Sequence, residues 1–208
     1  MRHTLIILFF SFVLQSVAAQ SGDQVFEFLT LPSSARANAL GGHTVSLVER
    51  DPSLIFHNPA LLGGEMDGMI NLDYMNYIAD VNVGSALFTK AFRERGAWGA
   101  GVHYFHNGKF KGMDENNQST GDFTASDIAV NGFFSYDLSE RWRGGVSMKF
   151  LYSNYDIYTS LGVCFDAGLS YYNSEKEFSF GVVLKNIGAQ LKPYYEDRQK
   201  MPWDIQMG

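Results

Sequence analysis

The chain has 208 residues, of which 46% are hydrophobic and 15% aromatic, while only 18% carry charge and the formal net charge is -6 at pH 7. That acidic balance, with no basic patch, gives no support to nucleic-acid binding. A single cysteine, Cys164, rules out a disulfide framework, so stability has to come from a core or from a membrane acting as the apolar solvent.

At the amino terminus Met1-Arg2-His3 precedes an apolar run from Leu5 to Leu14 and then Gln15-Ser16-Val17-Ala18-Ala19, with small residues where a signal peptidase reads. This order predicts a secretory signal over residues 1–19, cut after Ala19. A membrane-anchoring helix is the other reading, but the run is shorter than the roughly 18 to 20 residues a helix needs to cross a bilayer. No cysteine follows the cleavage point, so a lipoprotein is not expected.

Residues 20–65 show no alternation. Small residues, the Gly41-Gly42 pair and the prolines of Asp51-Pro52 and Asn58-Pro59 specify turns and one short helix packed against something else.

Over residues 66–208 the pattern has a period of two, the signature of strands with one face in an apolar medium. Ile70, Leu72 and Tyr74 alternate with Asn71 and Asp73; Val81, Val83 and Leu87 follow; then come Trp98 to Tyr104 and Ile128 to Tyr136. Three further segments, Val146 to Tyr152, Leu161 to Tyr171 and Phe178 to Leu184, make seven strands, and Trp203-Asp204-Ile205-Gln206-Met207-Gly208 reads as the opening of an eighth. Several have the roughly 9 to 11 residues that a tilted strand needs to cross a bilayer.

Short polar turns at Arg93–Gly96, Ser139–Arg141 and Asn173–Lys176 alternate with longer links, above all 106 to 126 and 188 to 202. Outer-membrane barrels have that asymmetry of rims. Aromatics gather at strand ends (Tyr74, Tyr77, Tyr104, Phe105, Tyr136, Trp142, Tyr152, Tyr171 and Tyr172), where a water–lipid boundary suits them. Backbone in lipid must be fully paired, so a spanning version of this chain has to be a closed antiparallel barrel. The competing reading is a secreted β-sandwich, which must then explain Asn71, Asp73, Asn131, Lys149, Asp166 and Lys185 on one side of the strands.

Candidate chemistry is sparse. His103 and His106 are expected on opposite faces of one strand, which argues against a shared metal; His43 and His57 have no ligand-like neighbours in sequence. The oxygen-rich Asp114-Glu115-Asn116-Asn117-Gln118 lacks the glycine and distal glutamate of a calcium loop. The glycines of Gly96-Ala97-Trp98-Gly99-Ala100-Gly101 have the wrong spacing for a dinucleotide fingerprint and read as small inward positions where another segment approaches the wall. No nucleophile or carboxylate pair stands in a catalytic setting, so no catalytic residue, cofactor or metal is assigned and the chain is not read as an enzyme.

One stretch carries more. Phe28-Leu29-Thr30-Leu31-Pro32-Ser33-Ser34-Ala35-Arg36-Ala37-Asn38-Ala39-Leu40-Gly41-Gly42, followed by Asp51 and by Asn58-Pro59-Ala60-Leu61, resembles the PorV/PorQ branch of the FadL-like outer-membrane barrels, and within it the PorQ type of the type IX secretion system of Bacteroidetes. Asn71 to Asn82, Asn107-Gly108-Lys109-Phe110, Gly121 to Asp127 and Leu184-Lys185-Asn186-Ile187-Gly188 are similar as well, so the resemblance runs over nearly the whole mature chain.

The resemblance implies that residues 20–65 fold inside the barrel as a plug, with Leu31, Pro32, Ser34, Ala35, Arg36, Leu40, Gly41, Gly42, Asp51, Asn58, Pro59 and Ala60 as its structural motif. Arg36, Asp51 and Asn58 would be buried or lumenal groups held by hydrogen bonds. Family barrels have about twice the strands counted here, so the chain is expected to cover an amino-terminal half, with a natural eight-strand barrel as the alternative.

The implied place is the bacterial outer membrane, in contact with its lipid. The implied role is to anchor a surface attachment complex through a PorZ-like partner, with PorU and PorV in the same assembly, by way of loops 106–126 and 188–202. The rival role is FadL-like transport of hydrophobic small molecules.

Overall fold

A computed structural model describes residues 24–77, 81–113 and 119–208 of the chain; the signal expected at residues 1–19 and the Asp114 to Gln118 loop lie outside the described residues. Eight strands follow one another as β1 (Ile70–Asn76), β2 (Asn82–Phe92), β3 (Gly96–Met113), β4 (Ser119–Asp137), β5 (Trp142–Tyr155), β6 (Tyr158–Asn173), β7 (Phe178–Lys192) and β8 (Asp204–Met207). Each pairs antiparallel with its neighbours in chain order, forming one sheet with β1 and β8 at its two edges. The chain is therefore all-β, as its alternation predicts, and the sheet is open. A single layer also replaces the two packed sheets that a sandwich requires.

The expected loop 106–126 is largely strand. A register shift between His106 and Lys109, where Gly108 takes φ 78°, interrupts the alternation. Pairing then resumes with Lys109 opposite Thr124 and runs on to Met113 opposite Ser119. The bulge inserts an unpaired residue, which makes a continuing strand look like a loop in a search for strict alternation. A second irregularity has the same effect on the expected link 188–202. Asn186 lies at φ 57° beside a register shift at Phe165/Ala167, and β7 continues to Lys192. The rim that carries these long hairpins is not uniformly long, since Asp156-Ile157 alone joins β5 to β6.

The exposed face of the sheet is apolar, whereas the covered face is mixed. Exposed positions carry Ile70, Leu72, Val130, Val146, Phe150, Phe165, Leu169 and Ile205, while the opposite face buries Asn131, Ser147, Lys149, Asp166, Lys185 and Gln190. Among the strand-end aromatics, Tyr74, Tyr104, Tyr136, Trp142, Tyr152 and Tyr171 lie on the exposed face, and Tyr172 has the inward parity of Ser170. Phe105 does not: it points inward and is buried, because its parity matches His103 and not Tyr104.

The buried face is filled by residues 24–66. Short 3₁₀ turns at Glu27–Thr30, Pro52–Phe56, Pro59–Leu61 and Gly64–Met66, and one helix, α1 (Ala35–Ala39), make up this segment. Phe26 and Phe28 share one buried cluster with Met75, Val83, Phe105, Ala129, Leu151 and Cys164, one residue from each of β1 to β6. Adjacent strands lie about 4.8 Å apart, so β1 and β6 would be about 24 Å apart in a flat sheet. The Phe28 ring lies 5.0 Å from the Phe105 ring on β3 and 6.2 Å from the Phe26 ring, which meets Gly162 on β6, so the sheet curves around these two rings. A second cluster gathers Leu54, Ile55, Phe56, Leu61, Leu62 and Met66 against Leu87, Ala97 and Phe133. Burying an aromatic or aliphatic side chain of this kind stabilises by about 1.5–3 kcal/mol, so the segment is a principal source of the sheet's stability.

Candidate functional site

The residues singled out in sequence sit where local capping needs them. The Ser34 hydroxyl accepts from the Ala37 N–H at 3.1 Å and starts α1. Gly41 and Gly42, at φ 97° and 85°, end it, with the Gly42 N–H donating to the Ala37 carbonyl at 2.8 Å. Those left-handed angles suit glycine and reverse the chain after a five-residue helix. Leu31 closes the Glu27–Thr30 turn through its N–H to the Phe28 carbonyl at 3.1 Å, and Pro32 is buried after it. Ala35 and Leu40 are exposed at the two ends of α1.

Arg36 and Asp51 come together: Arg36 Nη1 donates to Asp51 Oδ2 at 2.9 Å and Nη2 pairs with Glu49. The Arg36 side chain is 46% exposed, so it is not buried. Asp51 also accepts from the Ser53 N–H at 2.9 Å, capping the Pro52–Phe56 turn.

Asn58 is separate from that pair and wholly buried. Its Oδ1 accepts from the Ala60 N–H at 3.0 Å, and its Nδ2 donates to the Val45 carbonyl at 2.8 Å and to the Leu169 carbonyl on β6 at 3.4 Å. One amide thus caps the Pro59–Leu61 turn, braces the preceding loop and fastens both to the wall. Pro59 and Ala60 press against β5 and β6 at Gly145 and Gly168, which lie opposite one another in the sheet. Gly99 and Gly101 meet Ile55 and Phe56 as the small inward positions foreseen in sequence, whereas Gly96 lies nearest Phe92 and Ser135 on the neighbouring strands. Nearby, Ser135 Oγ donates to the Leu62 carbonyl and Thr89 Oγ1 to the Met66 carbonyl, each at 2.6 Å.

No protein-family model matches this chain, and no curated protein matches it. The site has to be read from its own chemistry.

Polar networks line the concave face at three levels. At the middle of the wall, Lys149 Nζ lies 2.8 Å from Asp166 Oδ2 and donates to Asn186 Oδ1 at 2.8 Å. Ser147 Oγ and the Asn186 N–H also donate to the Asp166 carboxylate, at 2.9 and 2.8 Å. Towards the long hairpins, buried Asp127 accepts from Asn107 Nδ2 at 2.7 Å and from Ser153, which in turn accepts from the Tyr194 hydroxyl. At the short-turn rim, Arg143 joins Asp137 at 2.5 Å and Glu65 at 3.1 Å.

His57 contacts Ser33 Oγ through Nε2 at 2.7 Å, and the Phe56 ring stacks on His103 with centroids 3.8 Å apart. Burial pushes the His57 ring down to about 3, with nearby Lys185 acting in the same sense, so it is neutral in the physiological range. His103 and His106 do fall on opposite faces, His103 inward and His106 beside Tyr104. Among the described residues, no three His, Cys, Asp or Glu side chains are grouped to hold a metal.

The Lys149–Asp166–Asn186 network was not legible in the sequence, although each strand's inward parity was. Lys149 faces Cys164 across β5 and β6, so its contact with Asp166 is diagonal. Diagonal contacts depend on register, which bulges reset.

Proposed function

We propose that this chain is an outer-membrane β-barrel component of the type IX secretion system, with residues 20–65 as an internal plug, that anchors a PorZ-type surface partner in an assembly with PorU and PorV. The reading of a membrane wall is supported above all by the apolar exposed face of the sheet. Its exposed face is a continuous field of aliphatic and aromatic side chains edged by tyrosines and Trp142, far beyond what a monomer in water leaves bare. Its covered face mixes apolar side chains with Asn131, Lys149, Asp166 and Lys185. That distribution suits lipid outside and a filled lumen inside.

In lipid the free backbone edges of β1 and β8 would have to be paired, so closure by further strands belongs to the proposal. The short-turn rim is then periplasmic, and the β3–β4 hairpin, whose strands have 18 and 19 residues against 11 in β2, rises outside the cell. The secretion role rests on the resemblance of residues 28–42, Asp51 and Asn58–Leu61. The projecting hairpin and the link after β7 give an anchor somewhere to hold its partner.

The lipid-facing assignment has a direct test. Val130 lies within β4 on the exposed face, at 52% exposure. Val130→Arg is expected to cost about 2–4 kcal/mol in vesicles, read from the urea midpoint, because a charge at that depth must be desolvated. A midpoint within about 0.5 kcal/mol of the unaltered chain, as for an ordinary surface change, would mean that this face meets water.

The role is tested by purifying the tagged full-length protein from detergent-solubilised outer membranes. Recovery of a PorZ-like surface protein with it is the expected result. A barrel recovered alone with apolar molecules bound would overturn the anchor role in favour of transport.

A further inference from the structure

Between the segment 24–66 and the wall lies a cavity of about 30 Å³ bordered by Ser33, His57, His103, Asn131, Lys149 and Lys185. Its charges do not balance. Lys149 has Asp166 as its ion-pair partner, but Lys185, only 6% exposed, has no carboxylate within 4.0 Å among the described residues. Its cross-strand neighbour Asp204 is exposed, with Oδ2 taken up by Gln206 Nε2 at 2.8 Å. Two buried ammonium groups therefore share one buried carboxylate.

The hydrogen bonding is incomplete on the same side. His57 Nδ1 and His103 Nε2 have no partner, although the two residues are only 3% and 8% exposed. In the tautomer that lets Ser33 Oγ–H donate to His57 Nε2, the Nδ1–H is a donor without an acceptor.

We infer that this cavity binds one monatomic anion of chloride size, held by the Lys185 ammonium and the His57 Nδ1–H. The space is large enough for a water or a small ion. A water would accept the hydrogen bonds but leave a buried ammonium uncompensated, which is the costly half of the problem. A chloride answers both. The binding would tie strand β7 to the segment through His57, independently of any role in secretion.

Bromide is the probe. The full chain, purified in detergent with gluconate in place of chloride, is titrated with bromide at constant ionic strength. Its melting midpoint is expected to rise saturably, by about 2–4 °C. Crystals grown in bromide are expected to show one anomalous peak beside Lys185 Nζ. Lys185→Met should lose both. If that variant does not fold, the unaltered chain still decides the matter: a midpoint indifferent to bromide, or a cavity without an anomalous peak, overturns the site. A bromide response that survives unchanged in a folded Lys185→Met protein overturns it too.

Discussion

Replacing Gly145 with valine is expected to keep the chain from reaching its folded form. A Cβ at this position on β5 would overlap the Pro59 carbonyl and the Ala60 nitrogen, which are main-chain atoms and cannot rotate aside. Added methyl groups in a filled interior cost about 1–3 kcal/mol, and more where backbone has to move. Here the backbone that would move is the turn capped by Asn58, so its bonds to Val45 and Leu169 would be lost together. Gly145→Ala should already lower the urea midpoint, and Gly145→Val should leave no heat-modifiable folded band on a gel. Gly132→Ala is the control, since no atom lies within 4 Å of where its Cβ would be. A Gly145→Val protein that unfolds at the unaltered midpoint would mean that the segment does not press on the wall there.

The second large effect is expected at Asp166. Its side chain is 1% exposed, and it is the only carboxylate in ion-pair contact with Lys149 among the described residues. Asp166→Leu would strand that ammonium near Lys185, and breaking one side of a buried pair costs about 3–5 kcal/mol. The double variant Lys149→Met, Asp166→Leu removes both charges but leaves Ser147 and the Asn186 N–H without their acceptor, so it should recover only part of the loss. The measurement is a urea-unfolding cycle over the two single variants and the double. A loss below about 1 kcal/mol for Asp166→Leu would place the pair in contact with water, where ion pairs are worth little.

The sequence made some of this plain and hid the rest for definable reasons. Strand positions were legible wherever alternation ran unbroken, as from Trp98 to Tyr104 or Leu161 to Tyr171. They became illegible at Gly108 and Asn186, where a bulge shifts the parity and a strand imitates a loop. Phe105 was misplaced for a related reason: at a strand end the residue type suits either face, and only parity decides. Ser34, Asp51 and Asn58 were singled out in sequence only through the resemblance; their role as caps shows in the structure. What Asn58 touches on β6, and which lysine Asp166 neutralises, depend on curvature and register, properties of the assembled sheet that no short window of residues contains.

The wall and the segment it encloses differ in how far along the chain their contacts reach. Every strand pair in the sheet joins neighbours in sequence, so hairpins can form one at a time with little loop closure. Asn58 and Leu169, by contrast, are 111 residues apart. Contacts that distant form late and slowly, since the chain between them must be ordered before they repay its lost entropy. Docking of residues 24–66 is therefore completed only when β6 is in place, and the final curl of the sheet waits on the hairpins that carry it there.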